Sequence, residues 1–269
     1  MFVQHNAFCV THFNNMQISI SAHGYVETDA TWHGEQIVSP FTRLYFVRRG
    51  RGILTCDEET MIIRPGCVYL IPAGLRYSFR GDPSVQKFFV HIHILKPDGY
   101  DLMYNFGRFG ELETDGQPIE RMIRLYNGNA YTDYFAFCAE IYQTILEFLT
   151  KYNCMDKPER VYSEIVQNAI QYIRKNLSAQ LSSQQVSREL YISCSALLKK
   201  FKAETGVTFS HYIEDMVFFS AQRKLVKTDL SIGQISDMLG FCDRFYFSRR
   251  FKQRFGETPS AYRKHFKGI

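Results

Sequence analysis

The alternation of apolar and polar positions changes period once along the chain. Residues 17–95 run in short stretches rich in β-branched and aromatic side chains, the period of a half-buried strand. The clearest stretches are 43–47, 52–56, 61–63, 68–71 and 88–94. Turn-forming groups separate them: Arg49-Gly50-Arg51-Gly52, Arg64-Pro65-Gly66, Pro72-Ala73-Gly74 and Gly81-Asp82-Pro83. Short strands at that spacing predict a sandwich or small barrel. From Pro118 the period lengthens to three or four residues. Residues 119–126 predict a short helix. Residues 134–152 set Phe137, Ile141, Ile145, Phe148, Leu149 and Tyr152 on one face of a longer helix. A polar break carrying Pro158 follows, and the domain boundary is placed between Lys157 and Pro158. Everything beyond reads as helix. The expected fold is therefore α+β with two domains: a β-barrel with flanking helices over 1–157, and an all-α domain over 158–269.

The all-α part contains a repeat. Phe201, Lys202, Gly206, Thr208, Ser210 and Tyr212 recur as Phe251, Lys252, Gly256, Thr258, Ser260 and Tyr262, each at an offset of 50 residues. Upstream, Val186-Ser187-x-x-Leu190 matches Ile235-Ser236-x-x-Leu239 at an offset of 49. One supersecondary unit is therefore present twice. Each copy reads as short helix, tight turn, second helix: 183–190, 191–193 and 194–204, then 232–239, 240–242 and 243–254. Such a pair with a basic second helix describes a DNA-reading helix-turn-helix. Leu197, Phe201, Phe247 and Phe251 should face the core. That turns Ser195, Leu198, Lys199 and Lys202 outward in one second helix, and Arg244, Tyr246, Ser248, Arg249 and Lys252 outward or flanking in the other. Between the copies, 209–227 predicts a connecting helix of about 18 residues, roughly 27 Å long. A strut of that length can hold two reading helices about 34 Å apart, one turn of duplex DNA.

Charge sharpens this reading. The net charge of +5 divides unequally: residues 1–157 carry 14 Lys and Arg against 17 Asp and Glu, residues 158–269 carry 18 against 10. The basic excess lies wholly in the repeat-bearing part, which points it at a polyanion. An anionic membrane would call for a basic amphipathic helix rather than two matched helices and a spacer. No apolar run reaches the roughly 18 residues a membrane span needs, and no secretory signal is visible, so a cytoplasmic location is expected. The seven cysteines are scattered without a C-x-x-C pair, which points to reduced thiols and against a zinc site. Lys200, Arg250, Arg254, Arg263 and Lys264 are open between phosphate contact and plain solvated surface.

The run from Phe241 to Lys252, followed by Phe255-Gly256-Glu257-Thr258-Pro259-Ser260-Ala261-Tyr262-Arg263, resembles the signature of the AraC/XylS family of transcription regulators. The resemblance covers about residues 159–266. It implies two helix-turn-helix units joined by a linker helix, both second helices entering the major groove. It gives Ser195, Leu198, Lys199, Arg244, Tyr246 and Arg249 base-reading roles. The chain departs from the family pattern at Phe245, where a small Ser is usual, at Val217, where Arg is usual, and at Ser187 and Ser236, where Ala is usual.

In the first part, Gly66-x5-Pro72-x-Gly74-x2-Tyr77 resembles the second cupin motif, with Tyr77 where metal-binding cupins place a histidine. No His-x-His-x3-Glu precedes it, so no metal, cofactor or catalytic residue is expected; the pair His91-x-His93 reads as pocket or core histidines. Residues 43–94 instead resemble the cupin-like effector barrel of sugar-responsive AraC-family regulators. Arg43, Tyr45, Tyr77, Phe79, Phe89, His91 and His93 are the candidate effector-binding residues, since aromatic faces stack on sugar rings while Arg and His bind hydroxyls. For each aromatic, plain core is the competing role. The expected protein is a DNA-binding activator of carbohydrate-utilisation genes, acting as a homodimer with RNA polymerase. The apolar stripe of 134–152 serves either as dimer contact or as packing against the barrel. Two alternatives stay open: a cupin-type metalloenzyme fused to a DNA-targeting domain, and a regulator whose barrel serves only dimerisation.

Overall fold

The computed structural model describes residues 17–29, 31–57, 59–104, 106–153 and 162–267. These fall into two compact units: one holds 17–96 and 101–153, the other 97–100 and 162–267. The boundary expected between Lys157 and Pro158 lies outside the described residues.

The first unit is built on an antiparallel sheet of seven strands: β1(Gln17–Thr28), β2(His33–Val38), β3(Thr42–Thr55), β4(Thr60–Ile63), β5(Cys67–Ile71), β6(Arg76–Leu95) and β7(Gly110–Glu113). The path β1-β6-β3-β5-β7 carries β2 on β6 and β4 on β3. Helices α1(Gln117–Tyr126) and α2(Tyr131–Lys151) cover one face. Strand alternation decides which side chains they meet. Leu44 and Phe46 of β3, Val68 and Leu70 of β5, and Phe88, Val90, Ile92 and Ile94 of β6 form one core with Ile119, Met122, Phe137, Ile141, Ile145 and Phe148. Each such side chain, taken out of water, contributes about 1.5–3 kcal/mol. The intervening Arg43, Tyr45, Lys87, Phe89, His91 and His93 fall on the opposite face.

Two expected turns are not turns. Arg49-Gly50-Arg51-Gly52 lies inside β3, and Gly81-Asp82-Pro83 lies inside the 20-residue β6. The pairing of β3 with β6 slips between Val47 and Arg49 and again between Gly50 and Gly52, so both strands bend at the same level without ending. Gly50 is obligatory there. Its φ is +79°, and a Cβ would lie 2.1 Å from the Ser84 carbonyl oxygen.

The second unit contains α3(Glu164–Lys175), α4(Ser183–Glu189), α5(Cys194–Thr205), α6(Phe209–Lys227), α7(Ile232–Met238), α8(Arg244–Phe255) and α9(Pro259–Lys267). The repeat extends to the caps. Ser182 with Gln185, and Ser231 with Gln234, form capping boxes at the starts of α4 and α7. Thr208 accepts from the His211 N–H, and Thr258 from the Ala261 N–H, at the starts of α6 and α9. Gly206 and Gly256 end α5 and α8 in the left-handed conformation, at φ 82° and 84°. The second residue after the first helix of each copy is also left-handed: Gly240 in the second, but Tyr191 at φ 54° in the first. Residues 97–100 leave the strands after β6 and are held within this helical unit. Tyr212 donates to the Asp98 carbonyl, and Tyr100 donates to the Asp215 carboxylate at 2.6 Å.

Candidate DNA-reading helices and interior binding face

Helix α5 is started by Ser193, whose hydroxyl accepts from the Ala196 N–H. Leu197 and Phe201 are fully buried, Phe201 edge-on to Phe209 and Tyr212 with ring centroids 5.2 Å away in both cases. Fixing that face leaves Ser195, Leu198, Lys199 and Lys202 exposed. Leu198, which could have been core, is on the surface.

Helix α8 repeats the arrangement with more aromatic bulk. Asp243 caps it, accepting from the N–H groups of Phe245 and Tyr246 at 2.7 and 2.8 Å. Those bonds, that of Tyr246 first, hold its carboxyl below the usual carboxylate range. Phe247, Phe251 and Phe255 are buried; Arg244, Tyr246, Arg249 and Lys252 are exposed and Ser248 half-buried. Two of the arginines rest on aromatic rings, Arg244 4.8 Å from the Phe245 centroid and Arg249 5.6 Å from that of Tyr246. Stacking of this kind restricts a long side chain before any ligand arrives.

Other basic residues are engaged elsewhere. Arg250 pairs with Glu214 and Arg254 with Asp215, consecutive acids of α6 that fasten α8 to the connecting helix. Arg263 donates to the carbonyls of Leu225 and Leu230, and Lys200 pairs with Glu204 at 3.4 Å. These four thus have partners within the protein, whereas Lys264 is exposed. All eight residues expected to read DNA therefore lie exposed on two equivalent helices.

On the β-unit, the seven candidate effector residues share one connected group on the face away from the helices. Arg43 stands opposite His91, and Tyr45 opposite Phe89, across the β3–β6 pairing. Arg43 donates to the Tyr45 hydroxyl at 3.2 Å and lies over the rings of Phe41 and Tyr77, 5.2 and 5.7 Å from their centroids. Tyr77 and Phe79 pack at 5.9 Å, and Phe89 and His91 at 5.0 Å. His93 meets the edge of Phe41 at 6.0 Å. Except for the half-buried Phe89, all are buried. Burial, reinforced by the charges of Arg43 and Lys87, holds the His91 imidazole well below its ordinary pKa. Among the described residues no three of His, Cys, Asp and Glu gather as metal ligands.

A family model described as a helix-turn-helix domain matches residues 186–265. The chain is 23% identical over 264 residues to the Msm operon regulatory protein of Streptococcus mutans, covering 93% of this chain and 94% of that protein. It is 24% identical over 238 residues to the arabinose operon regulatory protein of Salmonella typhimurium, covering 80% of each. The lactose operon transcription activator of Staphylococcus xylosus is 22% identical over 237 residues, covering 83% of this chain and 84% of that protein. These similarities support an AraC/XylS-family regulator. The protein is a DNA-binding regulator of transcription. The crystal structure of ToxT from Vibrio cholerae is similar in fold, with a TM-score of 0.54 at 15% identity over 95% of this chain and 100% of that one.

Within the AraC/XylS pattern, the departures of this chain now have places. Val217 is buried in α6, and Ser187 and Ser236 are buried in α4 and α7. Ser187 donates to the Gln184 carbonyl at 3.2 Å, whereas the Ser236 hydroxyl has no hydrogen-bond partner among the described residues. An orphaned buried hydroxyl costs on the order of 1–3 kcal/mol. Ser236→Ala, the usual family residue, is accordingly expected to raise stability by about 1 kcal/mol in urea denaturation; a loss of stability would show that the hydroxyl is partnered. Phe245 is 71% exposed beside Arg244, on the same helix as the exposed candidates Tyr246 and Arg249. Four residues of the interior face were not foreseen: Trp32, Ser39, Phe41 and Lys87. Lys87 shares the odd-numbered register of Phe89, His91 and His93, and that alternation was the available signal.

Proposed function

We propose that this regulator is an activator of carbohydrate-utilisation genes, switched by a sugar bound in its first domain. The carrying observation is the duplicated unit, α4–α5 and α7–α8, each with an apolar pair inward and basic or polar residues outward. Residues 158–269 form a double helix-turn-helix that reads two segments of one DNA face through Ser195, Leu198, Lys199, Lys202, Arg244, Tyr246, Arg249 and Lys252. Residues 1–157 form a cupin-like effector barrel in which Tyr77, Phe79 and Phe89 stack on the ring and Arg43, Tyr45, His91 and His93 bind its hydroxyls. The sugar-operon names of the relatives support this ligand class. A homodimer forms through α2, whose Tyr131, Phe135, Tyr142 and Leu146 are exposed large hydrophobics at steps of four, seven and four residues, one face of the helix. The DNA-bound dimer recruits RNA polymerase in the cytoplasm; no helix among the described residues is long and apolar enough to cross a membrane.

The polypeptide itself offers a route for the switch. It leaves the β-unit after Lys96, contributes 97–100 to the helical unit and re-enters at Asp101. A ligand that binds two arrangements of the chain unequally shifts the population between them. The reading is tested by titrating operator DNA with the intact protein with and without a panel of mono- and oligosaccharides. One sugar should change operator affinity at least several-fold, with two chains bound per operator. Indifference to every carbohydrate, or one chain per operator, would remove the corresponding part of the proposal.

A further inference from the structure

Lys87 is the least expected residue of the interior face. It is 3% exposed, on the same side of β6 as Phe89, His91 and His93. Its neighbours across the sheet are Val26 on β1 and Val47 on β3, so neither flanking strand offers it an acid. Among the described residues no hydrogen-bond partner meets its Nζ. The amine instead rests over the faces of Trp32 and Tyr45, 3.4 and 3.7 Å from their ring centroids. Tyr45 stands between a guanidinium and an amine, for its hydroxyl accepts from Arg43 at 3.2 Å while its ring carries Lys87. Burial, and then the positive charge of Arg43, press the Lys87 amine well below its ordinary pKa.

A buried amine on aromatic faces beside a guanidinium is an incomplete arrangement. Buried charges in proteins are normally paired and hydrogen-bonded, and a cation stripped of water has several kcal/mol to recover. Ring faces return only part of that to a desolvated cation. They satisfy none of its N–H donors. Plain core packing would place an apolar side chain here, as it does at the other buried positions flanking the bend. Trp32 is only half-buried, so the amine lies directly beneath a residue that reaches solvent.

From this geometry we infer that the effector carries an anionic group, a carboxylate or a phosphate, that seats on Lys87 with Arg43 beside it. The inference rests on the effector-binding reading of the interior face and adds the charge of the ligand to it. The aromatic residues and the two histidines keep the roles already given to them; Lys87 becomes the residue that selects the acidic form of the ligand over its neutral parent.

Matched pairs separate this from the sugar reading. The intact protein is titrated calorimetrically with galactose and galacturonate, with glucose and glucose 6-phosphate, and with benzoate as an anion lacking a sugar. One acidic sugar should bind at least about ten-fold more tightly than its neutral parent, the low end of what a hydrogen bond to a charged group contributes. Galacturonate alone identifies a carboxylate and glucose 6-phosphate alone a phosphate. In Lys87→Met the preference should collapse while operator binding by the unliganded protein persists. Neutral parents that bind as tightly as the acids would overturn the inference and leave the sugar reading standing. Benzoate binding alone would keep the anion site and remove the sugar. Failure of every anion to bind, or an unchanged preference in a folded Lys87→Met protein, would also overturn it; the pairs on the unaltered protein decide the matter even if that variant does not fold.

Discussion

Phe251→Ala is expected to cost about 3–5 kcal/mol, the range for emptying a buried aromatic site, and with it the seating of α8, the proposed second DNA-reading helix. Phe251 is fully buried and stands at the centre of the aromatic cluster that seats α8. Its ring centroid lies 4.6 Å from Phe255, 5.3 Å from Tyr262, 5.8 Å from Phe247 and 6.3 Å from Phe218 of α6. Removing it takes away the central ring of this cluster, leaving Phe255 to meet Phe218 of α6 at 6.0 Å and Tyr262 of α9 at 6.2 Å. The ion pairs of Arg250 and Arg254 would remain, but partly exposed pairs contribute only about 0.2–1 kcal/mol each. They cannot hold the helix in register. Since whole domains are stable by only about 5–15 kcal/mol, urea denaturation should show a large loss and operator affinity should fall towards the non-specific level. A variant less than 1 kcal/mol weaker, with full operator affinity, would mean that α8 is positioned by something other than this cluster.

Arg249→Ala is expected to leave the fold intact and weaken operator binding by about 1–3 kcal/mol, with selectivity relaxed at one base pair. Arg249 is exposed on α8, stacked on Tyr246 and engaged by no acid in any ion pair among the described residues. That sets it apart from Arg250 and Arg254 on the same helix, which are spent on Glu214 and Asp215. A bidentate arginine–guanine contact is directional, so its loss shows as changed specificity. Loss of a phosphate contact would instead weaken all sequences alike and lower the salt dependence by about one ion. Binding titrations against an operator and its single-base variants separate the two. Unchanged affinity and selectivity would defeat the assignment.

The helical unit was legible in the sequence because its information is local and doubled. Apolar pairs four apart and the repeated glycines and threonines each act within one or two turns, and the offset of 50 between the copies made them visible. The acid partners of Arg250 and Arg254 were not legible. They lie 36 and 39 residues upstream on another helix, and composition cannot tell a spent arginine from a free one. In the sheet, the strands with apolar alternation were visible while β1, β2 and β7 were not marked out as strands. β1 alternates exposed with half-buried positions, and β2 carries Gln36 at φ 52°, so neither offers a clean apolar face. The glycines at 50, 52 and 81 looked like strand ends because glycine permits a turn and a bend equally. Lys87 was missed for a related reason. A lysine at the start of an apolar run reads as a solvated edge, and only the long continuation of β6 through Asp82 and Pro83 carries it into the interior.

The proposed mechanism joins these parts through unequal binding. A ligand seated among Arg43, Tyr45, Lys87 and His91 acts on β3 and β6, and β6 is the strand that runs on to residues 97–100. The helical unit holds that short segment by Tyr212 and Tyr100. A small shift in β6 therefore has a path to α6 that is covalent as far as residues 97–100 and hydrogen-bonded from there.

Hydroxyl-radical protection of operator DNA by the intact protein at moderate salt tests the central claim most directly. Paired reading helices held by α6 require two protected segments on the same face of the duplex, their centres about one helical turn, 10–10.5 base pairs, apart for each chain. Protection of a single half-turn, or none above that on unrelated DNA, would contradict it.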